Sequence, residues 1–186
     1  MFKKLFFLAA ILAAFLFSGS QVFAEENQKW WNFKEWFVDI NINEDSTFVV
    51  RETQIFDFHG NFHWTQRYIP KNRVRAISDV KVFDENGREI FSPEVEITED
   101  TDRVNIKLNF DLTDTEMTRV FEYRVSGGLG YFEDYDELYW NAVSENRDVP
   151  IEEVEVLVHL PNPAPINEFQ QKIYLGATGG KTTSGN

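Results

Sequence analysis

Cysteine is absent from this chain of 186 residues, and histidine occurs three times. The missing thiols exclude disulfide bonds and thiolate metal sites, and the scarcity of both ligands argues against zinc. No segment repeats apolar residues at the spacing of an amphipathic helix. No nucleophile elbow, phosphate-binding glycine loop or dinucleotide fingerprint occurs either, so we expect no cofactor.

Basic residues are also few, with 18 Lys and Arg against 31 Asp and Glu and a formal charge of −13. If Lys3 and Lys4 leave with a cleaved leader, 16 basic residues remain against the same 31 acidic ones, a charge of about −15. Such a surface repels nucleic-acid phosphates and anionic lipid headgroups. We therefore expect no nucleic-acid partner.

Residues 1–24 have the three parts of a secretory signal peptide. Lys3 and Lys4 form a positive start, residues 5–17 are an unbroken apolar run, and residues 22–24 resemble a cleavage site. The apolar run of thirteen is short for a transmembrane helix, which needs ~20 residues. The leader predicts export to the extracytoplasmic face of the membrane, and an uncleaved anchor is the alternative.

After the leader, apolar and polar residues alternate over short stretches separated by turn residues. The period of two predicts strands with one buried face, and turns recur every eight to twelve residues. Asn86-Gly87 predicts a type I′ hairpin turn. We therefore predict an all-β antiparallel sandwich with immunoglobulin-like layers. Its buried rows are expected to include Phe48, Val50, Phe56 and Phe58 on one strand, and Val154, Val156, Val158 and Leu160 on another.

The predicted domains are the leader 1–24, a linker 25–34, the sandwich 35–175 and a Gly/Thr-rich loop 176–186. Gly60 is expected to break one strand, and residues 111–116 to form an acidic loop. A strand that starts near Gln170 and enters a glycine loop is an unusual end for a domain. We therefore expect the chain to be cut short there.

The most distinctive stretch is 130–143, which holds five aromatic residues and four carboxylates. Tyr135, Leu138 and Trp140 are predicted to enter the core, with the carboxylates in a solvated loop.

Several pieces of the sequence resemble one family. They are Trp36–Ile40, Phe58–Phe62 with Arg67–Pro70, Val149–Ile151 and above all Phe132–Asn141 with its Asp-Glu-Leu-Tyr-Trp-Asn core. Together, over roughly residues 30–180, they resemble the N-terminal extracytoplasmic domain of predicted bacterial membrane proteins called domain of unknown function 2207. The resemblance implies a signal peptide, an all-β ectodomain and transmembrane helices that follow it, and it implies no catalytic residue.

Clustered carboxylates allow two kinds of site. Asp134, Asp136 and Glu137 are candidate ligands for a hard cation such as Ca²⁺, although the EF-hand glycine and distal glutamate are missing. A glycosidase needs two carboxyl groups ~5–9.5 Å apart, a distance that so many acids meet by chance. The basic cluster of Arg67, Lys71, Arg73 and Arg75 offers a third interpretation, in which it pairs with the acids of 133–137.

Five tryptophans raise the possibility of sugar binding, since flat aromatic rings stack on sugar faces, although core packing is the ordinary role of such residues. Trp30 and Trp31, which precede the first regular alternation, are the candidate ligand-facing pair. Our prediction is a non-enzymatic extracytoplasmic domain of a membrane-anchored envelope protein. The alternatives are a module that binds wall glycan or polysaccharide and, more remotely, a hydrolase, with envelope proteins or wall glycan as candidate partners.

Overall fold

The computed structural model describes residues 29–143, 149–165, 168 and 170. In these residues the chain forms eight β-strands and no α-helix. The predicted leader, the loop 176–186 and most of the predicted strand at 170–175 lie outside them. The strands are β1 (Trp30–Ile42), β2 (Thr47–Pro70), β3 (Ala76–Phe83), β4 (Val95–Glu99), β5 (Arg103–Ser126), β6 (Leu129–Tyr131), β7 (Asp136–Leu138) and β8 (Ile151–His159).

Six of the strands form one sheet in the order β3-β5-β2-β1-β8, with β4 paired to β5, and β6 and β7 form a separate pair. All pairs are antiparallel except β1 with β8, which is parallel. The all-β prediction is thus confirmed, and the antiparallel prediction is wrong for β8. The predicted linker extends to residue 34, whereas β1 already begins at Trp30.

The long hairpin of β2 and β5 folds back on itself. Each strand has 24 residues, and they pair from Thr47↔Ser126 to Pro70↔Arg103. Glu52 and Arg67 are 15 positions apart, which is ~50 Å along a straight strand. Their side chains nevertheless meet at 2.6 Å, so β2 must double over between them.

This fold-over makes two layers. The base layer contains β1, β3 and β8 with residues 47–58 of β2 and 115–126 of β5. The arm layer contains β4 with residues 61–70 of β2 and 103–113 of β5.

The bend of β2 and β5 that joins the two layers, which we call the corner, lies where the sequence predicts interruptions. The strand register shifts between Phe58 and Asn61 and again between Phe62 and Trp64. Gly60 has φ +96° and Asp114 has φ +46°, and the Gly60 N–H donates to Asp114 Oδ1 at 2.7 Å. The predicted break and the predicted loop at 111–116 are therefore wrong, because β2 and β5 both continue through them as a bulged bend.

The turn at Asn86-Gly87 is confirmed in place but not in type. A type I′ turn needs positive φ at both central residues, and here Gly87 is positive (φ +79°) and Asn86 is not. The Gly87 N–H donates to Asp84 O at 3.1 Å. This is the three-residue loop with a left-handed glycine, and the returning segment makes only the bridge Phe83↔Glu89.

The core lies between the two layers and follows the predicted parity in β2. Its largest fully buried apolar side chains are Trp36, Ile40, Phe48, Phe56, Phe58, Ile69, Ile106 and Phe121. The inward prediction for β8 is wrong, since Val154, Val156, Val158 and Leu160 are 40–47% exposed. The physical reason is position: β8 ends the strand order of the base layer, beyond the strands that the arm layer covers.

One ion pair is buried in this core. Arg67 Nε and Nη2 donate to the two oxygens of Glu52 at 2.8 and 2.6 Å, and the two side chains are 3% and 0% exposed. Gln54 Nε2 and the Tyr123 hydroxyl also donate to Glu52, so the carboxylate has four donors. Trp36 lies 5.1 Å from the guanidinium.

The surroundings of Glu52 raise the pKa of two of the groups that donate to it, Arg67 and Tyr123. Burial alone would lower the pKa of Arg67, but the charge and hydrogen bonds of Glu52 outweigh it and raise that pKa above its usual range. Burial, and then the Glu52 charge, raise the pKa of Tyr123 well above its ordinary value. The tyrosine therefore stays protonated and keeps its hydrogen bond to Glu52.

No helix in the part of the chain that the structure describes has the length and hydropathy of a membrane span.

Arg67→Met should lower the free energy of unfolding by about 3–5 kcal/mol, because it leaves the Glu52 charge buried without its cation. Adding Glu52→Gln should recover part of the loss, since the double variant buries no charge. Urea unfolding of both variants measures this. The control is Glu122→Gln, which removes the partly exposed partner of Arg51 and should cost about 0–1 kcal/mol. An Arg67→Met loss no larger than that of the control would contradict the role of the pair.

Candidate functional site

The outward side of the arm layer carries two exposed aromatic residues in one row. Trp64 is 55% and Tyr68 42% exposed, with Gln66 between them on the same side of β2. They point outward because Thr65, Arg67 and Ile69 take the alternate positions and are buried. Four residues of strand separate the two rings by ~13 Å.

Polar side chains extend this surface across the neighbouring strands. The register places Asn109 beside Trp64, Lys107 beside Gln66 and Asn105 beside Tyr68, and Glu96 of β4 lies beside Lys107. We call this set the arm outer face: Trp64, Gln66, Tyr68, Asn105, Lys107, Asn109 and Glu96.

Contacts within the arm outer face fix several of its side chains. Asn109 Nδ2 donates to Glu96 Oε1 at 2.6 Å and to Pro93 O at 2.9 Å, while Lys107 Nζ lies 3.4 Å from the same Glu96 oxygen. These contacts, led by the Asn109 hydrogen bond, lower the pKa of Glu96. The Tyr68 hydroxyl donates to Gln66, and Arg103 lies 5.1 Å from the Tyr68 ring.

This combination of groups suits a neutral polar ligand. Exposed Trp and Tyr rings present apolar faces with a polar edge, and the amides of Asn and Gln both donate and accept hydrogen bonds. Lys107 and Glu96 offset each other's charge. An extended hydroxyl-rich chain could therefore lie along the row without meeting a net charge.

Trp30 and Trp31, the candidate ligand-facing pair, have different surroundings. Trp30 is 52% exposed and stacks on His59 with ring centroids 3.8 Å apart. Trp31 is half-buried and contacts Phe33, Phe56 and Phe58. One face of Trp30 is thus covered by His59, and Trp31 belongs to the edge of the core.

The acidic stretch makes no metal site in the structure. Asp134, Asp136 and Glu137 are all exposed, and no group of three or more His, Asp or Glu close enough to hold a metal ion occurs in the described residues. The basic cluster does not pair with these acids either. Arg67 binds Glu52, Lys71 Nζ binds Glu99 at 2.6 Å, and Arg73 lies over the Tyr139 ring at 4.2 Å.

The apolar and aromatic residues of the stretch 130–143 fall into a half-buried group and an exposed group. Leu138 and Trp140 are half-buried and pack on the core, where Trp140 contacts Phe48 edge-on at 5.3 Å. Tyr135 is 57% exposed and stacks on Phe132, so its predicted burial is wrong.

Carboxyl groups with a shifted pKa do not have the character of a general acid. The pKa values of Asp45, Asp84 and Asp100 are lowered, mainly because nearby turn groups donate hydrogen bonds to them: the Thr47 hydroxyl and amide for Asp45, and backbone amides for the other two. Such groups stay ionised at neutral pH, whereas a glycosidase acid needs a raised pKa.

Sequence reasoning did not single out Trp64 and Tyr68. The signal was present in Trp64, Gln66 and Tyr68, which alternate with Thr65, Arg67 and Ile69. The inward-facing row contains Arg67, which the sequence analysis assigns to the basic cluster. For this reason the alternation of inward and outward residues is not evident from the sequence.

Comparison with known proteins gives a family and distant structural likenesses. The family model described as "Predicted membrane protein (DUF2207) N-terminal domain" matches residues 34–186. No curated protein matches the sequence significantly.

The similar solved structures include an M1 zinc metallopeptidase from Deinococcus radiodurans, at 10% identity and a TM-score of 0.35 over 53% of this chain and 21% of that one. The full-length major pilin RrgB from Streptococcus pneumoniae is 13% identical, with a TM-score of 0.32 over 55% of this chain and 21% of the pilin. This chain therefore spans about a fifth of the length of those structures.

Trp64→Ala and Tyr68→Ala should each change the free energy of unfolding by less than about 1 kcal/mol, because both side chains are exposed. Trp36→Ala, in the core, should cost about 3–5 kcal/mol. Urea unfolding of the three variants makes the comparison. A loss at Trp64 or Tyr68 as large as that at Trp36 would mean that the arm outer face is structural.

Proposed function

We propose, because the chain belongs to the DUF2207 family of N-terminal domains of predicted membrane proteins, that it is a non-enzymatic contact domain on the extracytoplasmic face of the cell membrane. The leader-like residues 1–24 support export, and membrane segments outside this sequence would anchor the domain in the cell envelope. Its task is to bind a partner of the envelope.

The observation that carries this proposal is the position of the charged, aromatic and amide side chains in the fold. Glu52, the fully buried carboxylate of the core, is enclosed by four donors, two of which come from Arg67 of the arm layer and connect the two layers. The side chains offered to solvent in an organised row are instead aromatic and amide groups on the arm outer face. A carboxylate enclosed in the core contributes to stability and is not accessible to a substrate. A flat exposed surface is suited to contact with another molecule. These features favour a contact domain over the hydrolase alternative.

Export can be measured with a reporter that is active only outside the cytoplasm. Alkaline phosphatase fused after Asn186 should be active, because the leader would carry the fusion across the membrane. The matched control starts at Glu25 and should be inactive. An inactive full fusion, or equal activity in both, would contradict the proposed location.

Wall glycan is the second candidate, favoured by the arm outer face. Trp64 and Tyr68 supply stacking surfaces ~13 Å apart, and Gln66, Asn105 and Asn109 supply amides between and beside them. The acidic surface of the chain as a whole (−13) disfavours polyanions. A neutral polysaccharide therefore fits this face better than an anionic wall polymer.

Binding to soluble neutral wall-glycan fragments, measured by isothermal titration, tests this candidate. The Trp64→Ala/Tyr68→Ala variant should raise the Kd about 5- to 150-fold, because each lost aromatic contact is worth ~0.5–1.5 kcal/mol. Trp30→Ala, which changes an exposed aromatic on another strand, is the control and should leave the Kd unchanged. Binding that depends on Trp30 and not on Trp64 or Tyr68 would move the site to the pair first suspected from the sequence.

A further inference from the structure

A shallow surface depression lies where the end of β2 meets the segment that follows β7. It encloses about 270 Å³, including its open mouth. Its lining residues come from these two parts of the chain: Pro70, Asn72, Arg73, Tyr139, Trp140 and Asn141. The basic cluster and the aromatic stretch 130–143 therefore meet here, although they do so without pairing their charges.

Arg73 brings to this depression a positive charge that has no carboxylate partner among the described residues. Its guanidinium carbon instead lies 4.2 Å from the centre of the Tyr139 ring. The absence of a partner is unexpected in a chain with 31 acidic and 18 basic residues, and the neighbouring Lys71 does bind a carboxylate, that of Glu99. The ring thus positions the guanidinium while its N–H donors have no oxygen of a carboxylate to bind.

The backbone of Arg73 is also unusual. Its φ is +66°, in the left-handed region that residues with a side chain rarely adopt. The Val74 N–H donates to Lys71 O at 3.4 Å, so residues 71–74 form the turn that holds Arg73 in this conformation. Backbone strain of this kind is concentrated at ligand sites and active sites, where it places a side chain for its task.

Trp140 supplies a second donor without an acceptor. Its ring packs edge-on against Phe48 at 5.3 Å, so contact with the core holds its position. The indole Nε1 is buried, and no hydrogen-bond acceptor for it is present in the part of the chain that the structure describes. Because buried donors are nearly always paired, this group favours an acceptor from outside the chain.

We propose that this depression binds a carboxylate group, with the Arg73 guanidinium as its cationic contact and the Trp140 indole as a further donor. Guanidinium groups bind carboxylates through two parallel N–H donors, and the amides of Asn72 and Asn141 can donate to the remaining lone pairs. A single carboxylate fits better than a polyanion, because the net charge of −13 repels multiple negative charges. This site is additional to the arm outer face and does not depend on it.

Titration of the full chain, followed by NMR of the indole N–H groups of its five tryptophans, tests the proposal. One probe is N-acetylmuramic acid, whose carboxylate belongs to a sugar, and the other is N-acetyl-alanyl-alanine, whose carboxylate ends a peptide. The resonance that disappears in Trp140→Phe is that of Trp140, and it should shift with at least one probe until the site is saturated. The uncharged counterparts, N-acetylglucosamine and the amide of the dipeptide, should leave it in place.

A matched pair of variants tests the role of the guanidinium. Arg73→Asn removes it and keeps a residue that tolerates positive φ, and it should raise the Kd of the bound probe about 10- to 150-fold, as expected for a lost hydrogen bond between charged groups. Arg75→Asn makes the same change of charge at a residue that does not line the depression, and its effect should be much smaller.

The outcomes are distinct. A shift with one probe assigns the carboxylate to a sugar or to a peptide, and a shift with both means that the carboxylate itself is recognised. No shift with either probe, equal Kd values for the two arginine variants, or equal binding of the uncharged counterparts would overturn the proposal. Trp64→Ala should not alter the titration, so a failure here is separate from a failure of the arm outer face to bind glycan.

Discussion

The Glu52–Arg67 ion pair is the constraint on which the two-layer structure depends. Both groups are buried, and a buried charge without a partner costs several kcal/mol. Because they lie 15 positions apart on one strand, they can neutralise each other only when that strand doubles over. A shift of the arm by one residue would turn Arg67 outward and leave Glu52 alone. The pair thus penalises wrong registers more strongly than apolar contacts would.

The corner makes this pairing possible by changing the parity of β2. In the base half the inward residues are even-numbered, from Phe48 to Phe58, and in the arm half they are odd-numbered, from Thr65 to Ile69. Two register shifts separate the halves. A side chain at Gly60 would put its Cβ 2.6 Å from that of Lys29 and would also be strained at φ +96°. The glycine that looked like a break in the strand is what lets the strand continue around the bend.

The alternation of apolar and polar residues made it possible to predict the β-strands and much of the core from the sequence. The residues that share one parity in the base half of β2 are buried as predicted: Phe48, Val50, Phe56 and Phe58. In a half-buried strand successive side chains alternate between the core and solvent, and this alternation is visible as a pattern of apolar and polar residues. The resemblance to domain of unknown function 2207 is likewise confirmed by the family match. Local patterns of this kind need no knowledge of which strand lies opposite.

Long-range contacts were not predictable from the same patterns. Arg67 looked like part of a basic cluster, because its partner Glu52 lies in the other half of the fold, in a row that is apolar apart from Glu52 and Gln54. The valines of β8 have the alternation of buried residues, yet their exposure depends on what lies across from them. For the candidate site, the sequence favours the pair Trp30-Trp31 because it precedes the regular alternation. The exposed row of Trp64 and Tyr68 emerged only when the arm layer showed which side of β2 faces outward.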